Sequence, residues 1–425
     1  MSKRRSTFAS LKVRNFRLFW IASLIANIGA WMSIIAQDWL VLTKLTDNSA
    51  AALGLVSGLQ FLPIPFLTPL AGALADRFSK RRMLEITQAA LMINSLVLAL
   101  LVTFDVAQLW HVYVIAFTLG IVQAFDAPAR QSFVAEMVGQ DLLPNAVGLN
   151  SMQFNSARLV GPAVSGVMIG WFGLAPAIWI NAISFLAPIG ALFAMKGDEL
   201  FTPPARKGKG SIREGFSYVA KRPDLLLIFL IVFTLGTFGL NFQVFNALMS
   251  TEAFGLGADA YGLLGSMMAV GTLTGAVIAA RRGYPRFGVI VLALAGFALG
   301  SVFLAAAPSY WIYSITLVPV GFLSISVMTT ANSRVQLTTD PQMRGRVMAL
   351  YMAIFLGGTP LGAPLVGWVG EVYGARATLM VSAVTNAVVA VWAGVVLLMR
   401  SEHYPSPLHF LEVTRDRARK RRKRR

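Results

Sequence analysis

The sequence predicts an all-α integral membrane protein of twelve transmembrane helices, arranged as two parallel-repeat six-helix bundles. Three observations support this prediction: the composition, the recurrence of long apolar segments and the similarity of the two halves. Of the 425 residues, 56% are hydrophobic and only 13% are charged. This balance leaves too few polar residues to surround most of the chain with water, so a membrane is the expected solvent.

Apolar segments of spanning length, about 20 residues each, recur along the chain, and Gly, Pro and polar residues interrupt them without ending them. The predicted spans cover residues 16–42, 51–75, 83–104, 109–131, 148–171, 174–195, 224–248, 260–281, 287–306, 309–331, 347–369 and 376–399. The first segment is too long for a removable signal peptide and has no small-residue cleavage site, so we expect it to be a span. The sequence has no cysteine, which excludes disulfides and thiolate chemistry.

The basic residues predict the orientation of the spans. If residues 1–15 are cytoplasmic, the inner segments hold most of the Lys and Arg, whereas the outer segments hold almost nothing basic beyond Lys44 and Arg376. By the positive-inside rule, both termini then lie in the cytoplasm. The net charge of +18 is therefore mainly a topology signal. No nucleic-acid partner is expected, because no basic patch with interleaved exposed aromatics lies outside the spans.

The longest polar interruption separates the first six spans from the last six. The predicted organisation is a first bundle at 1–195, a cytoplasmic linker at 196–222, a second bundle at 223–400 and a basic cytoplasmic tail at 401–425. In the linker, Ile212, Phe216 and Val219 recur at helical spacing, which predicts a short helix on the inner membrane surface. A mobile loop is the alternative. The tail is expected either to bind anionic lipid or to act as a disordered topology anchor.

The two halves share a pattern of glycines. The spacing in the fifth span is repeated in the eleventh, at Gly161, Gly166 and Gly173 and at Gly362, Gly367 and Gly374. Residues 72–74 and 275–277 also align, both as a glycine, an alanine and an aliphatic residue. Small residues are favoured wherever membrane helices pack closely, but the matching positions indicate a repeat whose two bundles face a central site.

The loop after the second span reads GALADRFSKRR (72–82) and resembles the signature of the major facilitator superfamily. Ser79 stands where that signature prefers glycine. The chain further resembles the branch of enterobactin-exporter and macrolide-efflux-like transporters. The segments that carry this resemblance are NFRLFW (15–20), ALADRFSKRR (73–82), DAPARQSFVAEMV (126–138), LPNAVGLNS (143–151), ARLVGPAVSG (157–166) and MRGRVMALY (343–351).

The resemblance implies a gate motif made of Gly72, Asp76, Arg77, Lys80 and Arg81. In this superfamily the motif acid contacts the start of the eleventh span and nearby basic residues, and so latches the halves together on the cytoplasmic side. Each exposed contact of this kind contributes only about 0.3–1 kcal/mol, weak enough to break in every cycle. The alternative, that the basic residues only determine topology, leaves the acid unexplained.

Ionisable residues inside spans are functional candidates by default. The predicted membrane-embedded charges are Asp38, Asp126, Arg130, Arg158 and Arg334. From the helical rise of about 1.5 Å per residue, Asp38 is expected near the outer mouth, Asp126 in the inner third and Arg158 near mid-depth. One interpretation makes Asp126 a proton carrier tuned by Arg158. The other, which we favour, makes these two residues and Arg130 a neutralising network near the inner gate.

Polar, Met and aromatic side chains on helical faces predict the lining of the site. The substrate-binding candidates are Asn27, Trp31, Gln123, Asn155, Asn241, Gln243, Asn246, Met268, Tyr351 and Phe355. Such a surface suits large amphipathic cargo better than a sugar, although each residue could equally serve helix packing. Gly161, Pro162 and Gly166 predict a helix bend useful for gating, and close packing would give much the same sequence.

The resulting hypothesis is a transporter of the bacterial plasma membrane that exports an amphipathic drug, siderophore or lipid-like molecule by alternating access. The proton gradient is the expected energy source, and no cofactor is expected. An uptake permease for a small nutrient is the closest alternative, followed by a non-transporting receptor or assembly factor. An enzyme is not expected, because the three histidines lie at His111, His403 and His409, outside the spans or at their edge, and no cysteine is present.

Overall fold

The computed structural model of the chain describes residues 8–201, 212–281 and 285–400. The predicted basic tail therefore lies outside the described residues, as does the side chain of Asp76. The helices of the first half are α1 (Arg14–Leu40), α2 (Ala50–Phe61), α3 (Pro63–Arg77), α4 (Lys80–Thr103), α5 (Leu109–Phe172), α6 (Leu174–Ser184) and α7 (Leu186–Ala194). The apolar residues that predict spans thus form helices, the structure that satisfies every backbone polar group within the segment.

The linker and the second half continue the same pattern. Their helices are α8 (Ile212–Ala220), α9 (Pro223–Thr234), α10 (Phe242–Leu248), α11 (Ala258–Arg281), α12 (Phe287–Ala306), α13 (Tyr310–Thr338), α14 (Arg344–Gly357), α15 (Thr359–Tyr373) and α16 (Ala375–Arg400). Short π-helical turns follow α1, α9 and α10. Several predicted spans therefore consist of two successive helices, as α14 and α15 do.

Eleven helical segments of the described chain are long and apolar enough to cross a membrane, one fewer than the sequence predicts. The difference arises in α5, whose 64 residues contain the predicted spans 109–131 and 148–171. A straight helix of that length would measure about 96 Å, roughly three times the hydrocarbon thickness. The helix is broken at Gly139, which has the left-handed φ of 69° that glycine tolerates.

Contacts with α1 show that α5 reverses direction at this break. The ring of Phe133, before the break, lies 6.0 Å from the ring of Phe19. After the break, the carbonyl of Leu149 accepts a hydrogen bond of 3.0 Å from the indole of Trp20. Two neighbouring residues of α1 thus contact positions that a straight helix would hold about 24 Å apart. We call the two parts of α5 its first arm (109–138) and its second arm (140–172).

The glycine repeat has the same structural role in both halves. Gly161 packs on Trp31, in the first span of the first half, and Gly362 packs on Thr237, in the first span of the second half, so each glycine contacts a span of its own half. Gly173 and Gly374 end their helices with the same φ of 83°. The sequence repeat therefore corresponds to a repeat in packing.

The two halves meet along paired helices at one end of the molecule. We call this the outer end, because the charge pattern predicts that it faces away from the cytoplasm. Here α2 packs on α15 and the second arm of α5 packs on α11. A Cβ atom added to Gly166 would lie 2.6 Å from the carbonyl oxygen of Ala258 across this boundary. Small residues thus allow the backbones of opposite halves to touch.

The linker contains the predicted helix, α8, and this helix lies against the second half. It contacts α9 and α14, and Glu214 forms an ion pair with Arg346. Val219 is buried, whereas Phe216 is exposed. An amphipathic helix with one apolar side chain left uncovered is compatible with the predicted position at the membrane surface.

Candidate transport site and gates

A cavity of about 780 Å³ lies inside the first half, between α1, α4, α6 and both arms of α5. Along α1 its lining extends from Phe19 to Gln37, a rise of about 27 Å at 1.5 Å per residue. Both apolar and polar side chains line it, including Leu91, Phe185 and Asn94. This volume falls within the range of about 300–1,000 Å³ that drug-sized ligands occupy.

Asp126 is the acidic centre of this cavity and is saturated by hydrogen bonds. One carboxylate oxygen accepts from Thr87 Oγ1 and from Gln88 Nε2, each at 2.7 Å. The other oxygen accepts from Arg130 Nε at 2.9 Å, in an ion pair one turn along the same helix. Arg130 also donates to Ser23 Oγ at 3.0 Å. The predicted Asp126–Arg130 pairing is therefore present, and it ties α4, α5 and α1 together.

Replacing Asp126 by Asn is expected to lower the free energy of unfolding by about 2 kcal/mol, because buried hydrogen bonds to a charged group are lost. Glu85→Gln is the matched control. It removes the ion pair with Arg81, also four residues apart on one helix, but in a more exposed setting where a cost below about 1 kcal/mol is expected. Denaturant titration of both variants provides the measurement. Equal effects would contradict the structural role assigned to Asp126.

Arg158 does not join this network, which corrects one part of the predicted cluster. Its guanidinium lies 5.6 Å from the centre of the Trp31 ring, as a cation–π pair. Trp31 also contacts Phe154 edge to face, with 6.0 Å between the ring centres. The ring of Trp31 thus holds the long side chain, while Asp126 is bonded to Thr87, Gln88 and Arg130.

Arg334 lies near the end of α13, in agreement with its predicted position near a span boundary. Its Nη1 donates to the carbonyl of Pro285 at 3.1 Å, and its guanidinium lies 5.6 Å from the centre of the Phe287 ring. These contacts fasten the end of α13 to the beginning of α12. They favour a structural role for this arginine.

The structure places some of the substrate-binding candidates in the cavity and the others outside it. Those that line the first-half cavity are Asn27, Gln123 and Asn155. Those outside it are Trp31, Asn241, Gln243, Asn246, Met268, Tyr351 and Phe355. Several of the second group pack within the second half: Asn246 accepts a hydrogen bond of 2.9 Å from Tyr313, and Tyr351 stacks edge to face on Phe229. For these residues the contacts favour helix packing.

The two halves are joined at the outer end by a hydrogen bond between a buried acid and a tyrosine. Asp38, at the end of α1, is only 2% exposed, and its carboxylate accepts a hydrogen bond of 2.6 Å from the hydroxyl of Tyr261 on α11. The ring of Tyr261 stacks on Trp39, with 6.4 Å between the ring centres. Asp38 thus lies near the end of its span, inside the contact between the halves, and its depth in the membrane stays a prediction.

A second acid fastens the outer end from the opposite half. Glu371, near the end of α15, accepts hydrogen bonds from Ser49 Oγ at 2.9 Å and from the backbone N–H of Ala51 at 3.2 Å. Both groups lie at the start of α2, whose free N–H groups and positive dipole favour an anion. We call Glu371 and the start of α2 the outer latch.

Two basic residues of the gate motif bind acids of their own half. Lys80 forms an ion pair of 2.9 Å with Glu136 of α5, and Arg81 pairs with Glu85 on α4. Helix α3, which carries Gly72, Asp76 and Arg77, contacts α14, the first part of the eleventh predicted span. The contact of Asp76 with that span remains a prediction.

The residues predicted to bend the fifth span are packed tightly. A Cβ atom added to Gly161 would lie 2.5 Å from the Cβ atom of Trp31, and the carbonyl of Pro162 is in contact with Gly262 of α11. Ser266 of α11 also donates to the carbonyl of Leu159 at 2.7 Å. This segment therefore forms part of the contact between the halves, and the predicted bend remains untested.

Sequence reasoning missed three important residues: Tyr261, Glu371 and Gln88. Tyr261 and Glu371 lie at span ends, where polar residues are ordinary, and their partners are more than 200 positions away. The sequence did contain a signal for Glu371. It is an acid just after the predicted eleventh span, on the outer side, as Asp76 is an acid just after the predicted second span, on the inner side. For Gln88 the signal was an amide in an otherwise apolar segment.

Two helical halves of repeated packing, joined at their outer end, with a cavity inside the first half, form the architecture of a multi-pass membrane transporter of the major facilitator type. The chain belongs to the transmembrane secretion effector family of that superfamily, whose family model matches residues 5–417. The family and the curated relatives are transporters rather than enzymes.

Two relatives illustrate the range of this similarity. The staphyloferrin A transporter of Staphylococcus aureus is 22% identical over 373 residues, which cover 87% of this chain and 93% of the relative. The multidrug efflux pump Tap of Mycobacterium tuberculosis is 26% identical over 376 residues, which cover 85% and 88%.

Solved structures confirm the fold. A bacterial homologue of the human lysosomal transporter Spinster, in an inward-facing and unoccupied conformation, aligns with a TM-score of 0.65 at 15% identity, over 92% of this chain and 96% of that one. The nucleoside transporter NupG aligns with a TM-score of 0.67 at 15% identity, over 90% and 98%.

Proposed function

We propose that this chain exports amphipathic small molecules from a bacterial cell by alternating access, driven by the proton gradient. It would lie in the plasma membrane with both termini in the cytoplasm, as the positive-inside rule predicts. Similarity to a multidrug efflux pump and to a staphyloferrin A transporter supports a small-molecule cargo. The mixture of apolar and amide side chains around the cavity supports an amphipathic one.

The observation that carries the proton-driven part is the burial of Asp38 between the halves. Its carboxylate is hydrogen-bonded to Tyr261, and the ion pairs of the described residues do not include it. Burying an isolated carboxylate without a cation costs far more free energy than burying the neutral, hydrogen-bonded acid. Closure of the outer end would therefore favour protonated Asp38.

This preference links a proton to one half of the transport cycle. When the outer end opens and cargo leaves, Asp38 becomes accessible from outside and takes up a proton. The neutral acid can then be buried again beneath Tyr261, and the outer latch at Glu371 closes over it. The proton would leave toward the cytoplasm before the next cargo is carried out. One step of the cycle is thereby driven by the proton gradient.

Transport into inside-out membrane vesicles tests this proposal. A panel of macrolides, cationic dyes, catechol siderophores and lysolipids is offered, with and without a protonophore, to vesicles that contain or lack the chain. Accumulation of at least one class that needs both the chain and the gradient is the expected result. Accumulation only in right-side-out vesicles would support the uptake alternative instead. Absence of accumulation in both orientations, with folded protein present, would contradict transport of this cargo class.

A further inference from the structure

We infer that the first-half cavity is a recognition site for an uncharged part of the cargo that carries several hydroxyl or amide groups. This inference deepens the proposed function by naming the chemical groups that the site binds. It rests on the proposed function in one respect, namely that the bound ligand is the transported cargo. It departs from the expectation, drawn from sequence, that the site disfavours sugar-like groups.

Four buried polar atoms around this cavity have no hydrogen-bond partner within the described protein. They are Gln88 Oε1, Asn150 Oδ1, Gln153 Nε2 and Asn181 Oδ1. The side chains of Gln88, Gln153 and Asn181 are 1%, 4% and 7% exposed. A buried polar atom left unpaired costs roughly 1–3 kcal/mol, so most such atoms in native proteins are satisfied. Their concentration around one cavity indicates that a ligand satisfies them.

The orientation of two of these amides is set by the bonds they already make. Gln88 Nε2 donates to Asp126, which leaves Oε1 as the free atom. Asn181 Nδ2 donates to Ser95 Oγ at 2.9 Å, which again leaves the oxygen free. With Asn150 Oδ1 the cavity offers three acceptors, and with Gln153 Nε2 it offers a donor. Hydroxyl groups both donate and accept, and therefore complement this mixture.

The charge balance of the lining argues against an ionic ligand group. The two charged residues of the lining, Asp126 and Arg130, neutralise each other at 2.9 Å. An ammonium or carboxylate entering the cavity would find no unpaired countercharge and would lose its hydration. The free polar atoms come from α4, α5 and α6, so they surround the cavity. A compact ring with hydroxyls around its edge fits this arrangement.

Equilibrium binding to the purified chain in lipid nanodiscs tests the inference without a gradient. The probes are phenyl β-glucoside and its permethylated derivative, which keeps the ring and its oxygen acceptors but has no hydroxyl donor. We expect the wild-type chain to bind the glucoside at least tenfold more tightly. Gln153→Met and Asn181→Leu are each expected to weaken glucoside binding about tenfold and to leave the permethylated probe within about twofold.

Asn386→Leu is the matched control. Asn386 is also a fully buried amide with an unpaired oxygen, but it lies in the second half, outside the cavity. It should leave glucoside binding within about twofold. Equal binding of the two probes, or no binding of the glucoside, would overturn the inference. Both results are measured on the wild-type chain and so do not depend on the folding of a variant. Glucoside binding without proton-driven export would instead contradict the proposed function alone.

Discussion

Asp38→Asn is expected to abolish proton-driven accumulation of cargo while cargo exchange across the membrane continues. The asparagine has nearly the shape of the neutral acid and can still accept a hydrogen bond from the hydroxyl of Tyr261, so the outer end closes without taking up a proton. The gradient then drives no step. In proteoliposomes, we expect accumulation to fall at least tenfold, with counterflow exchange of preloaded cargo retained.

Asp47→Asn provides the control for this prediction. Asp47 is an exposed acid in the turn that follows α1, only nine positions further along the chain. It is expected to leave both accumulation and exchange unchanged, because its carboxylate stays in water in either state. If Asp38→Asn retained gradient-driven accumulation, the proton would have to bind elsewhere. If it also abolished exchange, Asp38 would serve the structure of the gate rather than proton coupling.

Gly54→Leu is expected to hold the outer end open and to abolish transport. Gly54 of α2 faces the backbone carbonyl of Ala363 on α15, and a Cβ atom at this position would overlap that carbonyl. Backbone atoms of a packed helix cannot rotate aside as a side chain can, so α2 and α15 would have to separate. Because Gly58 meets Pro364 on the same pair of helices, the separation would extend along the contact.

The distance between spin labels at Asp47→Cys and Val372→Cys measures this effect, and a chain without cysteine gives no background labelling. Gly170→Leu is the control, because Gly170 lies in a membrane helix with open space around the added side chain. The two labelled positions lie close in the sequence to the hydrogen-bonded residues Ser49 and Glu371, so a short distance between the labels is expected when the outer end is closed. We expect this short distance to disappear in Gly54→Leu and to persist in Gly170→Leu. A short distance retained in Gly54→Leu would refute this account of the outer contact.

Local patterns predicted most of the fold. Spans are continuous in sequence, and their apolar length follows from the membrane, so the predicted segments correspond to helices of the structure. The reversal of direction between the predicted spans 109–131 and 148–171 was predicted, but its form was not: the two helices follow each other directly at Gly139, without a long polar loop between them. The pairing of Asp126 with Arg130 was predictable for a related reason, because side chains four residues apart on a helix are neighbours.

The candidate site was less predictable, since its features depend on contacts between distant segments. From the sequence, Arg158 was predicted to interact with Asp126, but its guanidinium lies over the ring of Trp31 instead. Candidates were drawn from both halves, whereas the cavity described above lies in the first. The side-chain oxygen of Asn246 accepts a hydrogen bond from Tyr313, whereas that of Asn181 has no partner. This difference depends on how the helices pack and is not visible in the residue type.

The central claim, that closure of the outer end requires a neutral Asp38, is tested most directly by the same pair of outer labels at different pH values. Because the closed state buries the protonated form, the fraction of molecules with the short distance should rise as the pH falls. In Asp38→Asn that fraction should be high and independent of pH. A wild-type fraction that does not change with pH, or a variant that keeps the wild-type response, would contradict the claim.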